Sequence, residues 1–599
     1  MKAPIQIFHS AVHAQLLLLL VGIGAWFGVI HQGIVDYDTA WLMKNNPFLA
    51  DGDFSQIPTI WTNFEWDVRR TLGAEYLPVR DTDILIDFWL FGERWEWHHF
   101  GNMLWYLMGC GLFLGVCRHI LGPGFASWGA AALFCLHPIH VENVAWLASR
   151  KDLLGFAFFM GAWWLWLVGR QRDRISPLVF LLFILGYWSK NTTIVLPAVL
   201  FLCERFLYRK PLRSQLRHWA CWVVVALPLV LISTQLGQRM RLFGIPRHDT
   251  VWEGISIQSQ LWFADLGRLF WPTDLALAYP EPIPSNGLTV LFGSLICVLA
   301  ALVWRWRNTL PIWGLGIGIF FATSLPTTVF SNLQNLSADR YLLLPSIGIA
   351  LSIGAILKAV PTQFEKPSQV GLAILCVLFL WMTQQQSRAW RNNLTLWESS
   401  AEAQPTVLSN LDGYAAQLAD ADRASDALTL LNKAEKDFKT TAKFYQSRGQ
   451  IHRKSKDIPS AAADYRRALQ LDPDLRISGR QLAILLDANN QHQEALALLR
   501  RVTRVHPRYQ EGHNTLGAML INAYNTQKDP QLLLEAEKAL HQAEELGLDA
   551  PDPACNLGGV YWLMMKNDPT KRDDAVWWWT KCKKRAPHTR TPPDLDLPI

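Results

Sequence analysis

Apolar runs alternate with short charged connectors from the start of the chain to about Gln384. After Trp397 the runs stop, and alanine-rich, charged, helix-forming sequence takes over. Crossing a bilayer takes about 20 apolar residues in a helix. By that measure the pattern predicts eleven spans, at 11–30, 99–117, 124–138, 153–169, 177–190, 192–208, 218–236, 287–304, 309–329, 341–360 and 369–385. The first is expected to be an uncleaved helix, because no clear small-residue cleavage site follows it. The whole chain reads as all-α. A multispan membrane domain covers 1–390, with a large connector at 31–98, and a second helical domain covers 391–599.

The second domain carries a period of 34. Ala427, Ala461 and Ala495 keep that step, as do Ala434 and Ala468, Pro473 and Pro507, and the series Ala415, Gly449, Ala483 and Gly517. Small residues at this repeat mark the close approach of paired helices. The segment "AAADYRRALQLDP" (461–473) resembles the second helix of a tetratricopeptide repeat. About five units are expected between 398 and 590. Such arrays hold peptides in a concave groove, or serve as passive spacers.

Composition changes this picture little; the placement of charge changes it more. The net charge is only +6, and 18% of residues are charged. With the N-terminus inside, every connector on that side is short and basic: "CRHILGPG", "RQRDR", "YRKPLRSQLRH", "WRWRN" and "KAVPTQFEKPS". This is the positive-inside pattern, and eleven spans then deliver the tail to the outside. The expected location is a bacterial inner membrane, with the repeat domain periplasmic. Basic stretches without interleaved aromatics exclude a nucleic-acid surface, and the apolar runs exclude a simple soluble enzyme. Seven of the nine cysteines lie in or beside apolar runs. Cys555 and Cys582 in the tail read as two buried thiols, with a disulfide as the alternative outside the cytosol.

The face opposite the basic connectors gathers the unusual residues: the connector 31–98, "HPIHVENVAW", "SKNTT", 237–286 and "SNLQNLSADR". Ionisable groups at membrane depth are expensive and mark sites, so one outward-opening cavity is expected. His137, His140 and Glu142 are spaced like partial metal ligands. They lack a third ligand at helical spacing, and Pro138 divides the histidines, so hydrogen bonding or positioning fits them better than a metal.

Four motifs carry a family resemblance. They are "HPIHVENVAWLASRKD" (137–152), "DYDTAWLMKNNP" (36–47), "HHFGN" (98–102) and "SADRYLLLPSIG" (337–348), with Lys190 and "WPTDLALAYP" (271–280) as weaker matches. In this order, ahead of repeats, they resemble the transmembrane-and-tetratricopeptide O-mannosyltransferases and their prokaryotic relatives, C-type glycosyltransferases that use polyprenyl-phosphate sugars. The resemblance implies an inverting transferase acting on Ser/Thr hydroxyls of a protein held by the repeats. It makes Asp38 the expected base, with Asp36 second. Relatives usually carry adjacent aspartates; here Tyr37 separates the two acids and Thr39 stands where the second is expected.

Arg340, Lys190, Arg150 and Lys151 are candidates for the donor phosphate, since guanidinium and ammonium groups suit phosphate oxygens. His137, His140, Glu142, His99 and Asn102 are candidates for positioning the acceptor. No metal ligand is assigned. The expected small-molecule partner is the lipid-linked sugar, with a divalent cation as an option that the family leaves open. Two other classes stay open: a transferase acting on a surface glycan or lipid, and a non-catalytic, membrane-anchored repeat scaffold.

Overall fold

The structure, a computed structural model, describes residues 10–171, 175–209, 216–240, 250–328, 335–547, 551–592 and 595. The first nine residues and parts of "RQRDR", "YRKPLRSQLRH", the stretch 237–286 and "SNLQNLSADR" therefore lie outside the described residues. Among the described residues the regular elements are helical throughout. The chain divides into two compact units, 1–410 and 411–599.

The longer helices of the first unit are α1 (Ala11–Trp26), α2 (Pro78–Phe91), α3 (Trp95–Leu121), α4 (Phe125–Cys135), α5 (Arg150–Gln171), α6 (Pro177–Ser189) and α7 (Leu196–Phe206). They continue with α8 (Leu216–Arg239), α9 (Val251–Phe270), α10 (Asn286–Trp306), α11 (Pro311–Ser324), α12 (Pro345–Ala359), α13 (Glu365–Ala389) and α14 (Asn393–Ala403). Helix is found within every stretch predicted to cross the membrane. Among the described residues, six segments are long and apolar enough to cross alone: Ala11–His31, Trp95–Leu121, Leu147–Arg170, Trp219–Arg239, Asn286–Trp306 and Thr362–Ala389. Four others are apolar but shorter. Helix α6, with 13 residues, reaches only roughly 20 Å against a hydrocarbon core of about 30 Å. Among the described residues, length and composition alone thus qualify six helices as spans, and the count of eleven is not confirmed.

The first unit is organised by one apolar cluster running from Ala14 to Leu396. α11 and α12 approach so closely that a β-carbon on Gly316 would overlap the Gly348 carbonyl, and the reverse also holds. Small residues at such crossings replace the hydrophobic drive that lipid removes. α10 and α13 turn large side chains outward, with Val290 62% and Val377 65% exposed. On helices of this length such exposure marks lipid-facing surface. The unit ends at 410, beyond the sequence boundary at 390, because α14 packs into it: Leu396 is buried, Ser400 Oγ accepts the Leu277 N–H (3.3 Å), and Asn410 Nδ2 donates to the Ala278 carbonyl (3.0 Å).

The second unit is a row of helix pairs: α15 (Leu408–Asp420, crossing the division) with α16 (Ala424–Asp437), α17 (Ala442–Lys454) with α18 (Ile458–Leu471), α19 (Arg476–Ala488) with α20 (His492–Val505), α21 (Gln510–Gln527) with α22 (Pro530–Leu546), and α23 (Pro551–Met565) with α24 (Arg572–Arg585). The period-34 residues lie where the pairs touch. Ala415, Ala427, Ala461, Ala468, Ala483 and Ala495 are fully buried. A β-carbon on Gly449 would stand 2.9 Å from the Tyr465 ring, and one on Gly517 would overlap Leu540. Gly517→Ala is therefore expected to lower the stability of the repeat unit by about 1–3 kcal/mol through overpacking. Urea unfolding of the isolated variant and parent chains, read by helicity, checks this; an unchanged midpoint would remove the close-packing account.

Cys555 and Cys582 form a disulfide between α23 and α24, which corrects the expectation of two thiols. Fully buried Ala554 and Ala575 let the two helices come near enough for the bridge, with Cα atoms 4.8 Å apart. Closing a loop of 27 residues stabilises by about 3–4 kcal/mol on chain-entropy grounds. The double variant Cys555→Ser/Cys582→Ser is expected to lose stability of that order. Melting curves that coincide in the presence and absence of reductant would show that the bridge contributes nothing.

Candidate functional site

The segment after α4 cannot continue as helix, because Pro138 interrupts it. It folds instead as a 3₁₀ turn (Pro138–His140), a short helix (Val141–Ala145) and a second 3₁₀ turn (Leu147–Ser149) that leads into α5. Residues 137–150 are all buried. Irregular backbone at membrane depth is stable only when its polar groups are met inside the protein. Here Asn102 meets two of them, donating to the carbonyls of Val144 (3.1 Å) and Trp146 (3.2 Å).

Two polar networks anchor this segment from below. His140 bonds the Tyr106 hydroxyl through Nδ1 (2.8 Å) and Ser346 Oγ through Nε2 (3.0 Å), while His137 bonds the Leu269 carbonyl (2.9 Å) and accepts from the Ile139 N–H (3.1 Å). Arg150, only 1% exposed, is fully engaged. It bonds Asp83, Asp87 (2.6 Å), Asn102 Oδ1 (2.5 Å) and the His98 carbonyl (2.8 Å). His99 is buried in the same helix, α3. His137, His140, Asn102 and Arg150 thus hold the segment in shape, and their polar atoms point into the protein.

Above these networks lies a small polar cavity. Lys190 and Arg340 line it together with Asp152, Thr193, Thr327 and Tyr341. Two of the sequence candidates for the donor phosphate are thereby brought together from separate motifs. Lys190 Nζ stands 3.2 Å from Asp152, and the α6 terminus delivers it because Ser189 ends that helix. Lys151 bonds Glu75 (2.7 Å). Burial alone would raise the Glu75 carboxyl, yet Lys151 and Lys190 hold it well below the usual carboxylate range.

Arg340 pairs with Glu142 through Nη1, and Glu142 Oε2 accepts the Arg340 N–H (2.8 Å). Its guanidinium also stands over the rings of Trp146 (5.3 Å) and Tyr341 (4.9 Å). The loop carrying Arg340 is fixed from α9: Arg268 bonds Asp339 (3.0 Å) and Ser337 (2.6 Å), and the Tyr279 hydroxyl donates to Asp339 (2.6 Å).

The acidic loop reaches this group through Tyr37. The Tyr37 ring packs on Trp146 (5.3 Å), its carbonyl accepts the Trp146 indole N–H, and its hydroxyl accepts from Asn335 (3.2 Å). Asp36 and Asp38 on either side of it are exposed. Asp38 sits in the left-handed region (φ 67°) and accepts from Trp41 Nε1 (3.0 Å). Thr39 is buried, and its hydroxyl has no hydrogen-bond partner among the described residues. The arrangement offers a solvent-facing carboxylate next to a cationic, tryptophan-backed recess.

Among the described residues, no group of three His, Cys, Asp or Glu side chains is arranged to hold a metal ion. Sequence reading missed Tyr37, Glu75, Asp83, Asp87, Asp152 and Arg268. Asp83 and Asp87 carried a usable signal: four apart on a helix, they share a face.

No family model matches the chain. Curated proteins do. The protein O-mannosyl-transferase F38B6.6 of Caenorhabditis elegans is 22% identical over 357 residues, 58% of this chain and 48% of that protein. The protein O-mannosyl-transferase tmtc2 of Xenopus laevis is 36% identical over 151 residues, 24% of this chain and 18% of that protein. Mouse TMTC3, another protein O-mannosyl-transferase, is 23% identical over 176 residues, 28% of this chain and 19% of that protein. The chain thus spans about half the length of the first of these relatives and under a fifth of the other two. Among solved structures, YrrB, a TPR protein with an unusual peptide-binding site, matches 32% of this chain and 93% of its own at 19% identity, with a TM-score of 0.26. PilF of Pseudomonas aeruginosa matches 37% of this chain and 90% of its own at 14% identity, with a TM-score of 0.28. By its sequence, the chain is similar over part of its length to protein O-mannosyl-transferases of animals.

Proposed function

We propose that this protein transfers a sugar from a polyprenyl-phosphate carrier to Ser or Thr hydroxyls of an extracytoplasmic protein held by the repeat unit. One observation carries the reading: Lys190 and Arg340, from separate motifs, line one recess that the tyrosine between Asp36 and Asp38 adjoins. In the reaction, the acceptor oxygen attacks the anomeric carbon while Asp38 takes its proton. The bond from that carbon to the phosphate oxygen breaks, and the electron pair leaves with the phosphate. Lys190 and Arg340 stabilise the charge that develops there. A single displacement inverts the anomeric configuration. Glu142 holds Arg340 in orientation, and Asp152 does the same for Lys190. His137, His140, Asn102 and Arg150 act one layer below, by keeping the broken segment rigid.

An extracytoplasmic site and tail accord with the five basic connectors gathered on one side and with the Cys555–Cys582 disulfide, a bond of oxidising compartments. A scaffold role is the second reading, favoured by Thr39 in the place of an acid. Intact-mass spectrometry of exported proteins, from cells with and without this chain, separates the readings. Loss of hexose-sized increments from particular proteins is expected. An unchanged protein profile with an altered surface glycan would move the acceptor to glycan or lipid, and no change in either would leave the scaffold.

A further inference from the structure

In the repeat unit, Asp412, Gln446, Arg480 and Asn514 keep the 34-residue step. They therefore hold the same place on α15, α17, α19 and α21, the first helices of successive pairs, and all four are half-buried. These first helices share one polar face. Ser478 Oγ on α19 donates to Gln446 Oε1 on α17 (3.4 Å), and Asn556 Nδ2 on α23 donates to Asn514 Oδ1 on α21 (2.9 Å). Arg480 is the one cation in this row.

Two tyrosines gather further arginines around it. Arg480 Nε donates to the Tyr509 hydroxyl (3.0 Å), and Arg476 lies over the Tyr509 ring (5.2 Å). Burial raises the Tyr465 hydroxyl above its usual range, while Arg453, from the last turn of α17, and Arg480 both lie close enough to pull it the other way. The carboxylates facing the same two tyrosines are Asp464 and Glu511. Asp464 is committed to Arg448, which it meets with both oxygens (2.8 Å each). Three positive charges thus face one free carboxylate, and among the described residues Arg453, Arg476 and Arg480 form no ion pair. Rings and hydroxyls orient a guanidinium and leave its charge uncompensated.

We propose that Arg453, Arg476 and Arg480 bind side-chain carboxylates of the polypeptide held by the repeats, so that the preferred acceptor is an acidic segment bearing Ser or Thr. Charge complementarity sets the acid, since a guanidinium fork pairs with a carboxylate through two parallel bonds. The neighbours in the row set the polypeptide: the amides of Gln446 and Asn514 each carry a donor and an acceptor, as a peptide group does. The proposal rests on the reading that the repeats hold the acceptor, and adds the acceptor's charge.

Fluorescence anisotropy of the full chain in detergent, with no sugar donor present, tests the proposal. Two labelled peptides are compared, both amidated at the C-terminus: repeated Asp-Ser-Glu-Thr and its neutral counterpart, repeated Asn-Ser-Gln-Thr. The acidic peptide is expected to bind about tenfold tighter or more, the gain from one charge-assisted hydrogen bond. The double variant Arg453→Gln/Arg480→Gln should bring the two affinities together. Arg453→Glu alone, at an exposed position, should weaken the acidic peptide and spare the neutral one. Arg466→Gln/Arg467→Gln removes the same charge from exposed positions on α18 and should keep the preference. Thermal melting of each variant controls for folding. Equal binding of the two peptides by the parent, a preference that survives both Arg453 variants, or its loss in the α18 control would each overturn the proposal. A peptide that binds with this preference but receives no sugar once donor is added would count against the transferase reading and leave the carboxylate site standing.

Discussion

Asp38→Asn is expected to lower sugar transfer by about 10²–10⁴-fold, the range for removing a general base, with the folded protein present at parental levels. The substitution isolates the proton chemistry because everything else at Asp38 survives it. Asparagine, like aspartate, tolerates the left-handed backbone found there (φ 67°). Its amide oxygen can still accept the Trp41 indole N–H that Asp38 Oδ1 now accepts at 3.0 Å. Alanine would confound the test, since the same backbone conformation costs an ordinary residue roughly 1–2 kcal/mol. Asp36→Asn is expected to reduce transfer only a few-fold, because the Asp36 contribution identified here is a backbone N–H donated to Asn393 Oδ1 (2.6 Å), which the change leaves alone. Transfer is read as hexose added per acceptor protein per unit of purified enzyme. A full rate in Asp38→Asn would remove this residue as the base. If Asp36→Asn were the inactive one, the acid on the other side of Tyr37 would be the base instead.

How far the sequence foretells this molecule depends on the distance over which each feature is decided. The alanines and glycines at period 34 are local: each sits where two neighbouring helices touch, so their spacing predicted both the pairs and their contact points. The convergence of Lys190 and Arg340 on one cavity was also legible, since both adjoin apolar runs on the same predicted face. Three things were not. Arg150 had no visible partner, because Asp83 and Asp87 lie more than sixty residues earlier on a helix inside the large connector. The Cys555–Cys582 bridge depends on how closely α23 and α24 pack, which spacing alone does not give. The number of crossings was not legible, because α4, α6, α11 and α12 are apolar helices shorter than the runs that contain them. In each case the deciding contact joins elements distant in sequence, or depends on where a helix stops.

Arg150 also supplies the sharpest contrast between a residue that binds and one that braces. Its guanidinium reaches two carboxylates, an amide oxygen and a backbone carbonyl at the start of α5. Removing one partner from a buried ionic network leaves uncompensated charge and costs about 3–5 kcal/mol, against about 5–15 kcal/mol for a whole domain. Arg150→Met is therefore expected to melt much earlier in detergent, followed by tryptophan fluorescence. Arg150→Lys should recover little, because a single ammonium cannot meet four acceptors spread around a planar fork. Combining Arg150→Met with Asp83→Asn and Asp87→Asn should restore part of the loss, since the stranded charges are then gone. Lys190→Met is predicted to melt closer to the parent than Arg150→Met does, because Arg150 meets four acceptors, whereas Lys190 makes one 3.2 Å pair with Asp152 at the cavity edge. Its effect should appear as a KM for the lipid-linked donor raised about tenfold or more. If Arg150→Met melted like the parent and instead lost donor affinity, Arg150 would belong with Lys190 and Arg340 at the phosphate, and the bracing role would pass to the histidine network beneath.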